Sequence, residues 1–365
     1  GETWTLEGNA SIFQPPVDES GPFGYLAEKA STNLALQSED FTTSWYGQNA
    51  SVVADVAVAP DGTTTMDRMV VDTVNYFHDL YQYLFGVGSG TNHTASIYMK
   101  DDGAGFGGLV IHGGDNDFIA VVVDLSTGLI TNTSVGATSG TLVASGCDDV
   151  GNGVYRVWIS GSIVGTTVYM MPIVSNAAVP ASSVGGRPSY TGVLGEDILV
   201  WGAQLELGTY PTSYIPTTTT AVLRNADVLI AGDMVTDAAG SGYAEASSIW
   251  SYSPDSFLLA RTPAGRILYG SNAIGIEIYD GTTLRAATAG PPYTNIVTPM
   301  ASTWGNNITP YKNGVVGTVG PYDGTIGVGN LGIGHNNSGS NQWNGTIREV
   351  KIFDSELTAA EVGDL

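Results

Sequence analysis

Aromatic residues in the last third of the sequence stand among glycines and amides, a setting typical of side chains that stack on sugar rings. Such rings pack their CH groups on exposed aromatic faces, while neighbouring polar groups bind the hydroxyls. The pattern predicts a shallow glycan site made of Trp250, Tyr252, Trp304, His335 and Trp343. The alternative for each tryptophan is a place in a core or an interface.

A second aromatic cluster occurs earlier, with Tyr76-Phe77-His78 followed by Tyr81 and Tyr83. Side chains two residues apart point to the same face of a strand. Tyr81 and Tyr83 are therefore predicted to share one face. Core packing or a subunit contact is the expected role of this cluster.

The sequence lacks the common catalytic patterns. It contains no Gly-x-Ser-x-Gly turn, and its four histidines show no His-Glu-x-x-His spacing. Two glycine patterns, which begin at Gly103 and Gly327, do not open a helix after a strand and are interpreted as turns. Cys147 is the only cysteine, so no intramolecular disulfide can form. The expectation is a protein that is not an enzyme.

Charge excludes other classes of partner. Twelve basic residues oppose 35 acidic ones, which gives a formal net charge of −23. Nucleic acid binding needs Lys and Arg clusters that displace counterions, and an anionic membrane would repel this chain. No apolar run approaches the roughly 18–20 residues of a membrane span. We expect neither nucleic acid binding nor membrane insertion.

These candidate residues must be positioned by strands, because the composition and the turn pattern favour β-structure. The chain has 49 Gly and 16 Pro, and short apolar or alternating runs are separated by turn residues. Examples of the runs are Ser51–Val58, Phe118–Leu125, Val154–Ile159, Ile198–Leu205, Ile274–Tyr279 and Ile347–Phe353. Asn313-Gly314 predicts a hairpin, and Thr358 with Glu361 predicts a capped terminal helix. The predicted fold class is all-β, with two antiparallel β-sandwich domains in series.

Composition also suggests the domain boundaries. Residues 1–36 are polar and contain Pro15-Pro16, which predicts an N-terminal arm or connector that packs on a neighbouring subunit or domain. Prolines and four consecutive threonines near 210–224 break the strand pattern. The predicted domains are therefore residues 37–222 and 223–365.

Several motifs in the first domain resemble a module of bacteriophage tail-fibre and head-spike proteins, which is similar to carbohydrate-binding jelly rolls. The motifs are Leu34–Phe41 (LALQSEDF), Ala59–Thr63 (APDGT), Gly151–Val157 (GNGVYRV) and Trp201–Pro216 (WGAQLELGTYPTSYIP). The resemblance covers roughly residues 24–227. It implies a virion context and a jelly-roll fold more than it implies any ligand.

The second domain resembles concanavalin A-like, laminin-G-type lectins. The resemblance rests on Tyr311-Lys-Asn-Gly-Val, on Leu331-Gly-Ile-Gly334 and on Asn344–Phe353 followed by Leu357–Glu361. In the family, the last stretch is the closing strand and short helix of the sandwich. The Glu-x-Asp-x-x-Glu strand of similar glycosidases does not occur here.

The jelly-roll resemblance also implies a possible structural calcium ion, although no cofactor is required. Such modules hold calcium between the first and last strands, where Glu39 or Asp40 and Glu206 occupy the matching ends. Carboxylates are the hard ligands that calcium prefers.

The resemblances favour one function over two others. The leading hypothesis is a non-catalytic fibre or spike component at the virion surface, outside the cell, that binds host-surface glycans. Its expected partners are those glycans and other virion proteins, and it is expected to form a homotrimer. The alternatives are a purely structural fibre or capsid-decoration protein, and a glycosidase or lyase acting on surface polysaccharide.

Overall fold

The computed structural model describes residues 4–7, 24–85, 90–165, 167–235, 238–248, 256–260, 266–271, 275–279, 284–287, 296–322, 326, 329–336 and 341–365. Strands make up most of the described residues and one short helix is present among them, which confirms the all-β prediction. Every pairing between the described strands is antiparallel. No helix in the described ranges is long and apolar enough to cross a membrane.

The described strands and helix run along the chain as follows: β1 (Trp4–Glu7), β2 (Tyr25–Ala27), β3 (Ser31–Asn33), β4 (Tyr46–Gln48), β5 (Ala50–Ala57), β6 (Met66–Val71), β7 (Asn75–Tyr76), β8 (Asp79–Phe85), β9 (His93–Asp102), β10 (Phe106–Gly114), β11 (Asp117–Asp124), β12 (Leu129–Val135), β13 (Thr141–Asp149), β14 (Val154–Ser162), β15 (Thr167–Ser175), β16 (Ser183–Val184), β17 (Arg187–Pro188), β18 (Tyr190–Thr191), β19 (Asp197–Leu207), β20 (Val222–Arg224), β21 (Val228–Val235), β22 (Gly240–Ser248), β23 (Ser256–Ala260), β24 (Arg266–Ser271), β25 (Gly275–Tyr279), β26 (Leu284–Ala287), β27 (Thr298–Trp304), β28 (Asn307–Lys312), β29 (Val315–Val316), β30 (Gly320–Pro321), β31 (Gly329–Ile333), β32 (Gly345–Phe353) and α1 (Ala359–Gly363).

Contacts divide the chain into two compact units. The 31–224 sandwich is one unit, and the described residues 4–7, 24–30 and 225–365 form the other, which we call the 225–365 sandwich. The predicted boundary lay between residues 222 and 223, two residues before this division. In chain order, the 31–224 sandwich lies between β2 and β21 of the other unit.

The 31–224 sandwich has two six-stranded sheets around one core. The first sheet has the order β12-β11-β10-β15-β8-β4, and the second has the order β13-β14-β9-β19-β6-β5. Alternating side chains of β10, β11 and β15 meet those of β9, β14 and β19 in a single apolar cluster. Alternation of this kind leaves the outer face of each sheet available for other contacts.

The 225–365 sandwich is built in the same way. Its two sheets follow the orders β1-β21-β31-β23-β24-β25-β26 and β2-β32-β22-β27-β28-β29, with β30 paired to β28. The core lies between them and includes Leu259 and Leu331 from one sheet and Met300 and Ile347 from the other. The hairpin predicted at Asn313-Gly314 joins β28 to β29, and the capping box predicted at Thr358 begins α1. Both local predictions are confirmed.

The segment predicted as an arm, residues 1–36, contributes strands to both units. Trp4–Glu7 pairs with β21, Tyr25–Ala27 pairs with β32, and Ser31–Asn33 pairs with β20. Short strands of this kind satisfy the backbone groups of a sheet edge. The described part of the segment is therefore built into the sheets and does not form a separate element.

Candidate functional site

The structure places both predicted sugar-stacking tryptophans in the core of the 225–365 sandwich. Trp304 is 0% exposed and Trp343 is 1% exposed. Trp304 points inward from β27, and the indole N–H of Trp343 donates to the carbonyl of Ser247 at 3.0 Å. The predicted exposure of these two residues is wrong, because Trp304 at the end of β27 and Trp343 just before β32 both pack into the apolar core. Neither ring can stack on a sugar in this structure.

His335 is also buried rather than exposed, so this part of the prediction needs the same correction. Its Nε2 lies 2.8 Å from the carbonyl oxygen of Leu229 and 3.1 Å from the amide nitrogen of the same residue. Burial lowers the pKa of His335, so the ring is neutral at pH 7. One neutral ring nitrogen either donates to this carbonyl or accepts from this N–H, so the ring makes one of these two hydrogen bonds to β21. Trp250 and Tyr252, the other predicted site residues, lie outside the described residues.

An exposed aromatic group does occur, on the outer face of the first sheet of the 31–224 sandwich. We call it the tyrosine patch; its members are Tyr46 of β4, Tyr81 and Tyr83 of β8, and Tyr169 of β15. These three strands are neighbours, and the register pairs Tyr46 with Tyr81 and Tyr83 with Tyr169. The prediction that Tyr81 and Tyr83 share a face is confirmed. Core packing was one of two roles expected for this cluster, and it holds in part, because Tyr81 packs against a cluster of buried apolar residues. The other expected role, a subunit contact, stays a prediction, and Tyr83 is exposed.

The rings of the patch touch one another in several orientations. Tyr46 stacks on Tyr81 with the ring centroids 5.6 Å apart, and it meets Tyr83 edge-on at 5.8 Å. The ring centroids of Tyr83 and Tyr169 lie 4.8 Å apart. Tyr46 is 55% exposed and Tyr83 is 40% exposed, so ring faces and edges remain available to a ligand. Large exposed aromatic groups on a rigid sheet are a feature of binding surfaces.

A polar border lies beside the patch, on the small hairpin of β16 and β17. The guanidinium of Arg187 lies 3.8 Å from the ring centroid of Phe77, donates through Nε to the carbonyl of Val184, and pairs with Asp115 at 3.3 Å. His112 lies against Tyr169, with the ring centroids 5.6 Å apart. Burial lowers the pKa of His112, so its ring is neutral at pH 7.

Asp79 lies on the same strand face as Tyr81 and Tyr83 but is fully buried. Neither of its carboxyl oxygens has a hydrogen-bond partner among the described residues. Burial raises the pKa of Asp79 to about 7, although the charge of Arg187 acts in the opposite direction. This carboxyl group is therefore half-protonated near neutral pH.

The proposed calcium ligand Glu206 does not fit a metal site. Its Oε1 accepts hydrogen bonds from Gln204 Nε2 at 2.7 Å and from the amide of Thr212 at 2.8 Å. Its Oε2 accepts from the hydroxyls of Ser31 and Thr212. A carboxylate offers about four lone-pair sites, and all four are used here. Glu206 instead holds the segment that follows β19 through its hydrogen bonds to Thr212. These bonds, with the one from Gln204, account for polar residues of the Trp201–Pro216 motif.

The other calcium candidates make local contacts as well. Glu39 accepts a hydrogen bond from the Tyr214 hydroxyl at 3.0 Å, and Asp40 accepts one from the amide of Thr42 at 2.9 Å. Over the described ranges, no three or more His, Cys, Asp or Glu side chains are grouped so that they could hold a metal ion. In this structure these carboxylates serve as hydrogen-bond acceptors within the sandwich.

Comparison with known proteins identifies the second sandwich. Residues 239–363 match a family described as the concanavalin A-like lectin/glucanases superfamily, with the short name Laminin G 3. The chain thus contains a concanavalin A-like domain, as its sandwich fold and the resemblance predicted. No curated protein matches the chain significantly.

Two solved structures show distant similarity. Trypanosoma rangeli sialidase in complex with the inhibitor DANA has 10% identity and a TM-score of 0.30; the match covers 82% of this chain and 59% of the sialidase chain. The LG4-5 domains of the mouse laminin alpha1 chain have 10% identity and a TM-score of 0.24, with 94% of this chain and 93% of that chain covered. Similarity at this level carries no information about a ligand.

The sequence signal for the tyrosine patch was incomplete. The spacing of Tyr81 and Tyr83 indicated a shared face, but Tyr46 and Tyr169 had no pattern of their own. They reach the patch through strand pairing between segments that are distant along the chain. Only the strand order, with β8 between β4 and β15, reveals the group.

Proposed function

We propose that this protein binds glycans without cleaving them, and that the tyrosine patch of the 31–224 sandwich is the binding surface. The observation that supports this most directly is the group of four touching tyrosines, two of them well exposed, on one sheet face. The concanavalin A-like domain elsewhere in the chain is consistent with a lectin-type protein.

The chemistry of the patch suits binding rather than turnover. Tyrosine rings offer apolar faces to sugar CH groups, and their hydroxyls both donate and accept hydrogen bonds. Burial, together with a hydrogen bond to Tyr83, raises the pKa of Tyr81, so its phenol stays neutral at ordinary pH. Glycoside cleavage by the usual route needs two carboxyl groups about 5–10 Å apart across the bond. The four tyrosines of the patch supply no carboxyl group.

The wider context that we propose is a bacteriophage fibre or spike component at the virion surface, with its first sandwich a carbohydrate-binding jelly-roll module. The motifs in residues 24–227 support it. In this setting, the partners are a host-surface glycan and other virion proteins. A homotrimer would multiply a weak single site by avidity. Sedimentation equilibrium of the full chain tests this, and a monomer at high concentration would contradict it.

Substitution of the exposed tyrosines tests the binding surface. Tyr83→Ala and Tyr46→Ala should each weaken glycan affinity by about tenfold, since an aromatic contact contributes about 0.5–1.5 kcal/mol beyond its area. The unfolding midpoint should change little because both rings are exposed. Tyr76→Ala is the matched control: Tyr76 is 41% exposed and its described ring contact is with Phe77, outside the patch. Binding to a panel of surface oligosaccharides is measured by titration calorimetry.

Two outcomes would contradict the proposal. One is undiminished binding in both patch variants, which would place the site elsewhere. The other is the absence of binding to any glycan of the panel, combined with self-association that the patch variants abolish. That result would favour the purely structural role, with the patch as a contact between copies.

A further inference from the structure

Positive charge is distributed unevenly between the two sheets of the 31–224 sandwich. Residues 31–224 contain five basic residues, namely Arg68, Lys100, Arg156, Arg187 and Arg224. The first three belong to strands β6, β9 and β14 of the second sheet. The strands of the first sheet, which carries the tyrosine patch, contain neither lysine nor arginine.

Arg187, which lies beside this sheet, already has an ion pair and a hydrogen bond within the sandwich. Arg187 is held by Asp115 and by the carbonyl of Val184, it packs on Phe77, and its side chain is 11% exposed. It also lies close enough to influence Asp79. His112 adds no charge at pH 7, since burial keeps its ring neutral. A ligand on the patch would therefore meet no available positive group among the described residues of this face.

Acidic sugars would be disfavoured here by two further effects. The face of an aromatic ring carries the negative part of its quadrupole, so a carboxylate or sulfate gains nothing by lying over tyrosine. The chain as a whole carries a net charge of −23 and repels polyanions at moderate ionic strength. An anionic group removed from water without a partner is costly.

We propose that the tyrosine patch selects neutral glycans, and that the absence of lysine and arginine from the first sheet sets this selectivity. The inference rests on the proposed function and names the class of sugar that the same site accepts. Neutral hexose chains present CH groups and hydroxyls, which the ring faces and phenols of Tyr46 and Tyr83 can bind. Uronic acid and sulfated chains present groups that find no counter-ion there.

The test compares neutral and acidic probes on the full chain. The neutral probes are hexasaccharides of glucose and of mannose in several linkages, and the acidic probes are oligogalacturonate, oligoalginate and sulfated dextran. Affinities are measured by titration calorimetry at about 0.15 M salt, where the Debye length is about 8 Å. At least one neutral probe should bind, and every acidic probe should bind at least about tenfold more weakly, a difference of about 1.4 kcal/mol. Tyr83→Ala should weaken the neutral binding by about tenfold, as expected from the loss of one aromatic contact.

A charge added to the patch tests the cause of the selectivity. Thr167 lies two residues before Tyr169 on β15 and so shares its strand face, and it is partly exposed. Thr167→Lys should strengthen binding of the acidic probes by about threefold, the effect of one exposed ion pair, and leave neutral binding unchanged. Val53→Lys, on β5 of the second sheet, makes the same change in net charge away from the patch and should have no effect on either class.

The possible failures are distinguishable. If an acidic probe binds as tightly as any neutral one, and Tyr83→Ala weakens that binding, the selectivity is wrong while the proposed function stands. If Val53→Lys and Thr167→Lys strengthen binding of the acidic probes equally, the net charge of the chain sets the selectivity. The proposal that the lack of lysine and arginine in the first sheet sets it is then wrong. If no probe binds, or if Tyr83→Ala leaves all binding intact, the proposed function and this inference both fail.

Discussion

Trp343 connects two parts of the 225–365 sandwich, since its ring fills the core and its indole N–H bonds the carbonyl of Ser247. Removal of such a ring leaves a cavity and an unpaired backbone group. Trp343→Ala should therefore destabilise this sandwich by about 3–5 kcal/mol. Urea unfolding followed by circular dichroism measures the change. Tyr46→Ala, which deletes an exposed aromatic ring, is the control and should move the midpoint little; an equally small effect of Trp343→Ala would show that the ring is not packed as described.

Asp79 predicts a pH dependence of stability. Its pKa is raised from 3.8 to about 7 by burial, so the folded state holds a proton that the unfolded state releases. The free energy of unfolding should then fall as pH rises from about 4 to about 7, by about 1.4 kcal/mol for each step of one in pH, and level off above that. Asp79→Asn cannot ionise and should remove this slope, so that it is more stable than the natural chain at pH 8.

The measurement for Asp79 is urea unfolding at pH 5 and at pH 8. Asp61→Asn is the matched control, because Asp61 is exposed in a turn and an asparagine can accept the same bond from the amide of Thr63. This control should keep the slope of the natural chain. Equal slopes in Asp79→Asn and the natural chain would show that another group governs the pH dependence.

At the scale of elements, the β28–β29 hairpin depends on a turn in which both central residues have positive φ. Asn313 has φ 50° and Gly314 has φ 72°, the combination that Asn-Gly favours in two-residue hairpins. A side chain in place of glycine clashes with the backbone in this region. Gly314→Ala should therefore cost about 1 kcal/mol. Asn313→Gly keeps both φ angles accessible and should be nearly neutral in thermal unfolding; the opposite order of effects would contradict the turn assignment.

The strands that carry the patch illustrate how elements limit sequence-based prediction. Within β8, alternation alone places Tyr81 and Tyr83 on one face. The partners of β8 are β4 and β15, and neither is adjacent to it in the chain. Non-local pairing of this kind leaves no local periodicity to detect. The same alternation that identified a shared face could not say whether that face is covered.

At the scale of the molecule, the two sandwiches place the aromatic residues that bear on function differently. In the 225–365 sandwich, the large aromatic residues Trp304 and Trp343 are inside the core. In the 31–224 sandwich, a group of tyrosines lies outside, on the sheet whose strands contain neither lysine nor arginine. A chain with a net charge of −23 thereby keeps one uncharged aromatic surface among its described residues. That combination underlies both the proposed glycan binding and its proposed selectivity for neutral sugars.

The sequence by itself determined the features that depend on local conformation. β-branched residues and spaced turns specify an all-β chain, Asn313-Gly314 specifies a hairpin, and Thr358 with Glu361 specifies a capped helix. Each follows from the backbone preferences and hydrogen bonds of a few consecutive residues. Only the tertiary structure decided which aromatics are exposed and which carboxylates are already satisfied. Trp343 is buried, Tyr46 is exposed and Glu206 has no lone pair left for a metal, because burial and hydrogen bonding depend on strands that meet from distant parts of the chain.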